Sequence, residues 1–303
     1  MKELAPVIVF VYSRVDHAKA TLEALNKNIG AQKTNVYVFS DSPKSEKDIS
    51  DVKEVRKYLN ETKFCFAKFD IIQREENFGL ARNIIFGVTE IVKKYGKVIV
   101  LEDDIVTSEF FLNYMNDALL KYENVDEVIS ISACTYPVGD LIEEQDTYLL
   151  RIPLCWGWAT WSTSWSYFKK DLDEVALIDK NMINYINFDG ANDYFKQAVL
   201  NVKGKLNTWF IFWYIASVKN KKLTLFPRYS LVKNIGHDGS GENCGKTDSY
   251  QTEIVNNPVR IEDIPLVESK YAVDAHKKYF RSINPPIFIK FKNRIIRGIG
   301  RIL

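Results

Sequence analysis

Apolar and polar positions along the chain alternate between short, continuous apolar runs and longer segments with helical spacing. Residues 7–12, 35–40, 64–72 and 98–101 are runs rich in Val, Ile and Phe with polar or turn-forming residues after them, which predicts strands buried on both faces. The stretch after Asp16 to about Asn26 places Ala20, Leu22, Ala24 and Leu25 at helical spacing, and residues 49–59 and 80–95 predict two further helices. Asn77-Phe78-Gly79 is the turn signal that opens the last of these. Strands alternating with helices of this size imply parallel pairing through right-handed crossovers, hence an α/β fold. Further along, the pattern predicts a helix over 110–122, strands over 128–133, 148–152 and 223–226, and helices over 174–186, 194–202 and 209–219. No internal repeat of about 20 to 50 residues is visible, which argues against a solenoid.

The run 98–101 ends abruptly in Glu102, Asp103 and Asp104. In open parallel sheets, ligands bind outside the C-terminal strand edge, near the point where strand order reverses. Clustered carboxylates there repel one another and lose hydration, so they call for a compensating cation, Mn²⁺ or Mg²⁺ held together with phosphate oxygens. The alternative is a solvated acidic loop opening the next helix, with Ser108 as its N-cap.

A second polar constellation is Asn234-Ile235-Gly236-His237-Asp238-Gly239-Ser240-Gly241. Its backbone N–H groups could face an anion and His237 could complete a metal shell, or the stretch is a surface loop. Trp156, Trp158 and Trp161 form either a packed cluster or a wall for a stacked ligand, each indole N–H wanting a partner. His17 and His276 lack such neighbours and are expected on the surface.

Composition narrows the class. A net charge of +2 over 303 residues argues against a nucleic-acid partner. The four cysteines lie far apart without a Cys-x-x-Cys pair, which disfavours a zinc ribbon or disulfide framework and suits a reducing cytosol. No basic leader precedes a long apolar segment and no run of about 18 apolar residues occurs, so neither export nor a membrane span is expected. The tail after Pro285-Pro286 carries five basic and no acidic residues, with Ile287, Phe288, Phe291, Ile295, Ile299 and Ile302 roughly on one helical face. That predicts peripheral attachment to an anionic membrane surface, on the inner face of the cell membrane. The chain divides into a catalytic domain, 1–258, and a C-terminal appendage, 259–303.

The segments 7–14, 39–41, 77–83, 101–104, 156–161 and 234–241, in this order, resemble bacterial nucleotide-sugar glycosyltransferases of the GT-A fold. More distantly the chain is similar to the animal N-acetylglucosaminyltransferase I group, which carries Glu-Asp-Asp at the corresponding strand end. The resemblance implies a three-layer α/β sandwich with a mainly parallel sheet. It also implies a nucleoside diphosphate sugar donor, a glycan or lipid-linked acceptor, divalent-metal dependence and inversion. By residue, it assigns Asp104 to the metal, Asp103 to the ribose or donor sugar with Glu102 in support, and Asp41 to the nucleobase edge. It places Arg14 and Arg82 at nucleotide or phosphate, His237 at metal or phosphate, and Trp156, Trp158 and Trp161 along the acceptor. The animal enzymes carry Trp-Asp-Asp-Trp, with their general base, where this chain reads Trp209-Phe210-Ile211-Phe212-Trp213. With no acid there, Asp238 is the first substitute expected and Asp193 the second. A nucleotidyltransferase and a catalytically silent glycan-binding module are the competing functions.

Overall fold

The computed structural model describes residues 4–139, 145–241 and 246–284. The first half runs β1 (Val7–Val11), α1 (Val15–Asn26), β2 (Asn35–Ser40), α2 (Ile49–Glu61), β3 (Lys68–Gln73), α3 (Gly79–Tyr95), β4 (Lys97–Glu102), β5 (Ile105–Thr107) and α4 (Phe111–Lys121). The second half runs β6 (Val128–Ser132), β7 (Thr147–Leu150), β8 (Trp158–Trp161), α5 (Ser162–Trp165), α6 (Lys180–Ile186), α7 (Phe195–Val202), α8 (Phe210–Lys219), β9 (Leu223–Pro227), β10 (Val232–Asn234) and α9 (Lys270–Ile283).

Eight strands form one sheet in the order β3-β2-β1-β4-β8-β6-β9-β7, and β10 pairs with β5 in a small second sheet. The pairings β1–β2, β1–β4, β2–β3 and β6–β9 are parallel, whereas β8 runs antiparallel between β4 and β6 and β7 is antiparallel at the edge. The sheet is therefore mixed and mostly parallel, the α/β architecture that the alternating pattern implies.

Side chains alternate across this sheet with period two. Val7, Val9, Ile99 and Leu101 face one core together with α1, α2 and α4, while Ile8, Phe10, Val98 and Val100 face the other together with α3. Strands covered on both faces must be apolar throughout, which is why β1, β2 and β4 read as unbroken runs.

Several elements differ from expectation for local reasons. The predicted strand over 64–72 begins only at Lys68, and Phe64 and Phe66 instead join Phe69 and Tyr58 in an aromatic cluster. The predicted helix over 174–186 is broken, because the Asp179 side chain accepts from the amides of Asn181 and Met182 and starts α6 afresh. His276, expected on the surface, is fully buried on α9. Its Nδ1 bonds the Ala272 carbonyl at 2.7 Å, its ring lies among Tyr136, Phe188 and Phe280, and burial pulls its pKa down to about 4.

Residues 259–284, expected in an appendage, lay α9 on the main core through Ala272, Val273, Tyr279 and Phe280. Glu268, just ahead of α9, is gripped by Arg151 at the end of β7, with Nε–Oε1 at 2.5 Å and Nη2–Oε2 at 2.6 Å. The basic tail, 285–303, lies outside the described residues. Among the described residues no helix is long and apolar enough to cross a membrane.

Candidate active site

The site is set by strand order. β1 sits between β2, which precedes β3 outward, and β4, so the order reverses at the β1/β4 junction, and there the two C-terminal ends lie side by side with Phe10 paired to Glu102. Such a junction leaves a crevice between diverging loops. The loop from β1 carries Arg14 to the N-cap of α1, and the loop from β4 carries Asp103 and Asp104.

These residues meet. Arg14 Nη2 donates to Asp103 Oδ1 and, at 2.8 Å, to Asp104 Oδ2, while its Nε lies 3.4 Å from Asp103 Oδ2. Both aspartates are buried and Glu102 is half-buried. The backbone is pinned as well, because Thr21 Oγ1 donates to the Asp103 carbonyl at 2.7 Å.

The glycine-bearing loop arrives through the small sheet. β10 pairs antiparallel with β5, matching Asn234 to Ile105, and the Ile235 amide then donates to the Asp104 carbonyl at 2.9 Å. Gly236 follows directly over the Asp104 carboxylate, where an added Cβ would stand 2.0 Å from Oδ2. Beyond it, Asp238 Oδ1 accepts from the Ser240 amide at 2.8 Å and hydroxyl at 2.7 Å, and Asp238 Oδ2 lies 3.3 Å from His17 Nε2. Arg14 Nη1 reaches Ser240 Oγ at 3.5 Å, so one arginine touches both the acids and the loop. The His237 ring packs between Trp156 and Tyr250, with centroids 5.2 Å and 5.1 Å away.

Electrostatics follow from this crowding. Burial, then repulsion from Asp104 and Asp103, pushes the Glu102 carboxyl well above the usual range. Burial and Asp104 raise Asp103 against the opposing pull of Arg14. Burial works against the Arg14 charge, yet Asp103 and Asp104 hold the guanidinium above its ordinary value. The Ser240 hydroxyl and amide keep Asp238 below the carboxylate range.

Among the described residues no group of three or more His, Cys, Asp and Glu is placed to hold a metal ion. The donors at the strand end are nevertheless hard carboxylate oxygens, with Asp103 and Asp104 sharing one guanidinium, that of Arg14. That set fits a divalent cation which brings its remaining ligands with it, as one bound to a diphosphate does.

The other expected site residues divide. Asp41 is buried, and its carboxylate accepts from the amides of Ser42 and Phe78 at 2.9 Å and of Gly79 at 2.8 Å, which spends it on the start of α3. Arg82 is exposed, pairs with Glu76 at 3.1 Å and lies 3.8 Å over the Phe78 ring. Trp158 and Trp161 cannot form a wall. They lie on β8 facing opposite cores, Trp158 stacked on Trp209 and Trp161 bonded through Nε1 to the Leu119 carbonyl, and only Trp156 of the three is part-exposed. Asp193 is exposed just before α7 and takes no part in the contacts that join the glycine loop to β4.

Residues not foreseen also shape the crevice. His17, expected on the surface, is turned inward on the first turn of α1, and its position three residues after Arg14 was the available signal. Arg56 ties the edges of β2 and β3 together by donating to the carbonyls of Asp41 and Arg74, both at 3.1 Å. Arg74 lies between the rings of Phe39 at 5.0 Å and Phe78 at 4.6 Å. A charged surface helix and a strand end give no sequence sign of either role.

No protein-family model and no curated protein matches the sequence. Among solved structures, the chain is similar to S. aureus TarS, at 15% identity and a TM-score of 0.35, over 65% of this chain and 34% of TarS. It is similar to the mannosyltransferase PcManGT from Pyrobaculum calidifontis in complex with GDP-Man and Mn²⁺, at 12% identity and a TM-score of 0.40, over 72% of this chain and 69% of that one. A fragment of S. aureus TarS, residues 1–349 in complex with UDP-GlcNAc, is similar at 11% identity and a TM-score of 0.41, over 75% of this chain and 57% of the fragment. The chain thus spans about a third of the length of the first TarS chain.

Proposed function

We propose that this chain is a GT-A glycosyltransferase that moves a sugar from a nucleoside diphosphate to a hydroxyl of a glycan or lipid-linked acceptor. The observation that supports it most is the meeting of Arg14, Asp103 and Asp104 at the point of strand reversal, under a loop that Gly236 fits against Asp104. A diphosphate leaving group needs positive charge and a hard-cation ligand close together, and the meeting of Arg14 with Asp103 and Asp104 supports that reading.

In the reaction, the acceptor oxygen attacks the anomeric carbon while the bond from that carbon to the diphosphate oxygen breaks and its electron pair leaves with the diphosphate. A single displacement of this kind inverts the anomeric centre. Arg14 holds a phosphate through its donors, Asp103 faces the donor ribose or sugar, and Glu102 supports both acids from the strand end. Asp104 would hold Mn²⁺ or Mg²⁺, which when bound supplies Lewis-acid screening of the diphosphate. Asp238 takes the acceptor proton, His17 orients its carboxylate, and Trp156 offers an aromatic face to the acceptor sugar. Asp41 acts on the base indirectly, by fixing the β2 edge to the start of α3.

Incubating the purified protein with a panel of nucleoside diphosphate sugars and Mn²⁺ tests this reading. A thermal stabilisation by one donor, with slow release of free sugar that Asp104→Asn abolishes, is the expected result. Release of pyrophosphate would replace it with a nucleotidyltransferase, and binding of glycans without any donor turnover would replace it with a binding module. The composition of the tail supports a membrane-borne acceptor. Sedimentation with anionic but not neutral vesicles, lost on truncation after Asn284, tests that extension.

A further inference from the structure

We infer that Arg14 and a divalent cation compete for the same oxygen of Asp104, so that the guanidinium occupies the resting site and a metal ion binds there only together with a diphosphate. This deepens the proposed function and rests on it for the identity of the diphosphate compound alone.

The argument starts from how little freedom Asp104 has. Its carbonyl is bonded to the Ile235 amide, Gly236 presses on its carboxylate, and its residue surface is 8% exposed. The carboxylate is therefore held beside Arg14 and cannot turn away from it. Oδ2 is the oxygen that Arg14 Nη2 already engages, at 2.8 Å, from a guanidinium that also grips Asp103. A hard cation bonds carboxylate oxygen directly, so it would have to lie against that guanidinium and suffer its repulsion.

A free ion has little to offset this. The described residues bring no third ligand to the spot, so an arriving ion would displace Arg14 and leave the guanidinium without its partners. A diphosphate changes both sides of the balance. It brings oxygen ligands for the ion and offers Arg14 a bidentate anionic partner in exchange for the aspartates. Arg14 has a path for the move, since Nη1 already approaches Ser240 Oγ at 3.5 Å on the neighbouring loop. Metal and diphosphate then strengthen each other's binding, and the coupling is reciprocal.

Direct Mn²⁺ binding to the full-length protein, followed by electron paramagnetic resonance without any sugar donor, tests this. Arg14→Gln is expected to bind Mn²⁺ alone at least about tenfold more tightly than wild type, the factor a loss of about 1.4 kcal/mol of competition produces. Arg14→Lys, which keeps the charge, is expected to stay close to wild type. The gain should vanish in the double variant Arg14→Gln/Asp104→Asn. No gain in Arg14→Gln, or a gain that survives Asp104→Asn, overturns the inference. A measurement on wild type alone covers the case of a variant that does not fold: Mn²⁺ should leave the melting temperature unchanged, while Mn²⁺ with inorganic pyrophosphate raises it. A full rise with Mn²⁺ alone overturns the inference. None of these readings depends on sugar transfer, so a chain that shows the competition but no transferase activity refutes the proposed function and leaves the inference standing.

Discussion

A Cβ on Gly236 would stand 2.0 Å from Oδ2 and 2.8 Å from Cγ of Asp104, nearer than atoms can approach without one of them moving. The backbone at Gly236 is not in the left-handed region, so alanine is conformationally tolerable and the whole effect falls on the carboxylate. Gly236→Ala should therefore push Asp104 off Arg14, costing about 1–3 kcal/mol of stability as overpacking does. Donor turnover should fall much further than the few degrees lost in melting temperature. A variant with a lowered melting temperature and full turnover would show that Asp104 is not where the chemistry depends on it.

Asp104→Asn keeps the shape of that contact and removes the charge. Transfer and donor hydrolysis should drop by at least about 100-fold, or roughly 3 kcal/mol of transition-state stabilisation. The fold should survive, because the change also relieves repulsion on Glu102 and Asp103. Circular dichroism and a melting curve beside the rate assay check both halves, and wild-type turnover would remove Asp104 from the site.

How much of this was legible in the sequence depends on what each residue faces. β1, β2 and β4 are covered on both sides and so announce themselves as unbroken apolar runs that end in polarity, which is also how Glu102, Asp103 and Asp104 stood out. β8 did not, although it lies at the centre of the sheet. It is a four-residue strand, Trp158–Trp161, whose two tryptophans suit a packed cluster or a wall equally well in the sequence, and period two sends them to opposite cores. β5 and β10 are three residues each, too short for any periodicity, yet their pairing is what delivers Gly236 to Asp104. The contact of Arg14 with acids some ninety positions away follows from strand order, a property of the sheet and not of any local stretch.

The general base is tested by a pair of variants. Asp238 is joined to His17 at 3.3 Å and shares the loop that reaches Arg14, whereas Asp193 stands exposed before α7. Asp238→Asn should lower turnover by about 100-fold or more while donor binding changes little, the signature of a group acting in the transition state. Asp193→Asn should remain near wild type. If the two results are exchanged, Asp193 is the base and the Asp238 loop serves only to close the site.

His276 predicts a pH dependence of stability that is separate from the candidate site. Its pKa falls from 6.5 to about 4 on folding, because burial among Tyr136, Phe188 and Phe280 disfavours the imidazolium, while the bond to the Ala272 carbonyl favours it only weakly. Above pH 6.5 neither the folded nor the unfolded chain binds this proton, and the residue contributes no pH dependence. Between 6.5 and 4 the unfolded chain binds it and the folded chain does not, so stability falls as the pH is lowered through that window. The full loss approaches about 3 kcal/mol, reached near the folded-state value. His276→Phe keeps an aromatic ring in the cluster and removes the titration. Urea midpoints measured between pH 7 and 4.5 should fall more steeply for wild type than for His276→Phe, with the difference corresponding to uptake of one proton on unfolding. Other acids titrate alike in both proteins and cancel in that comparison, so parallel curves would mean that His276 is not held neutral by its burial.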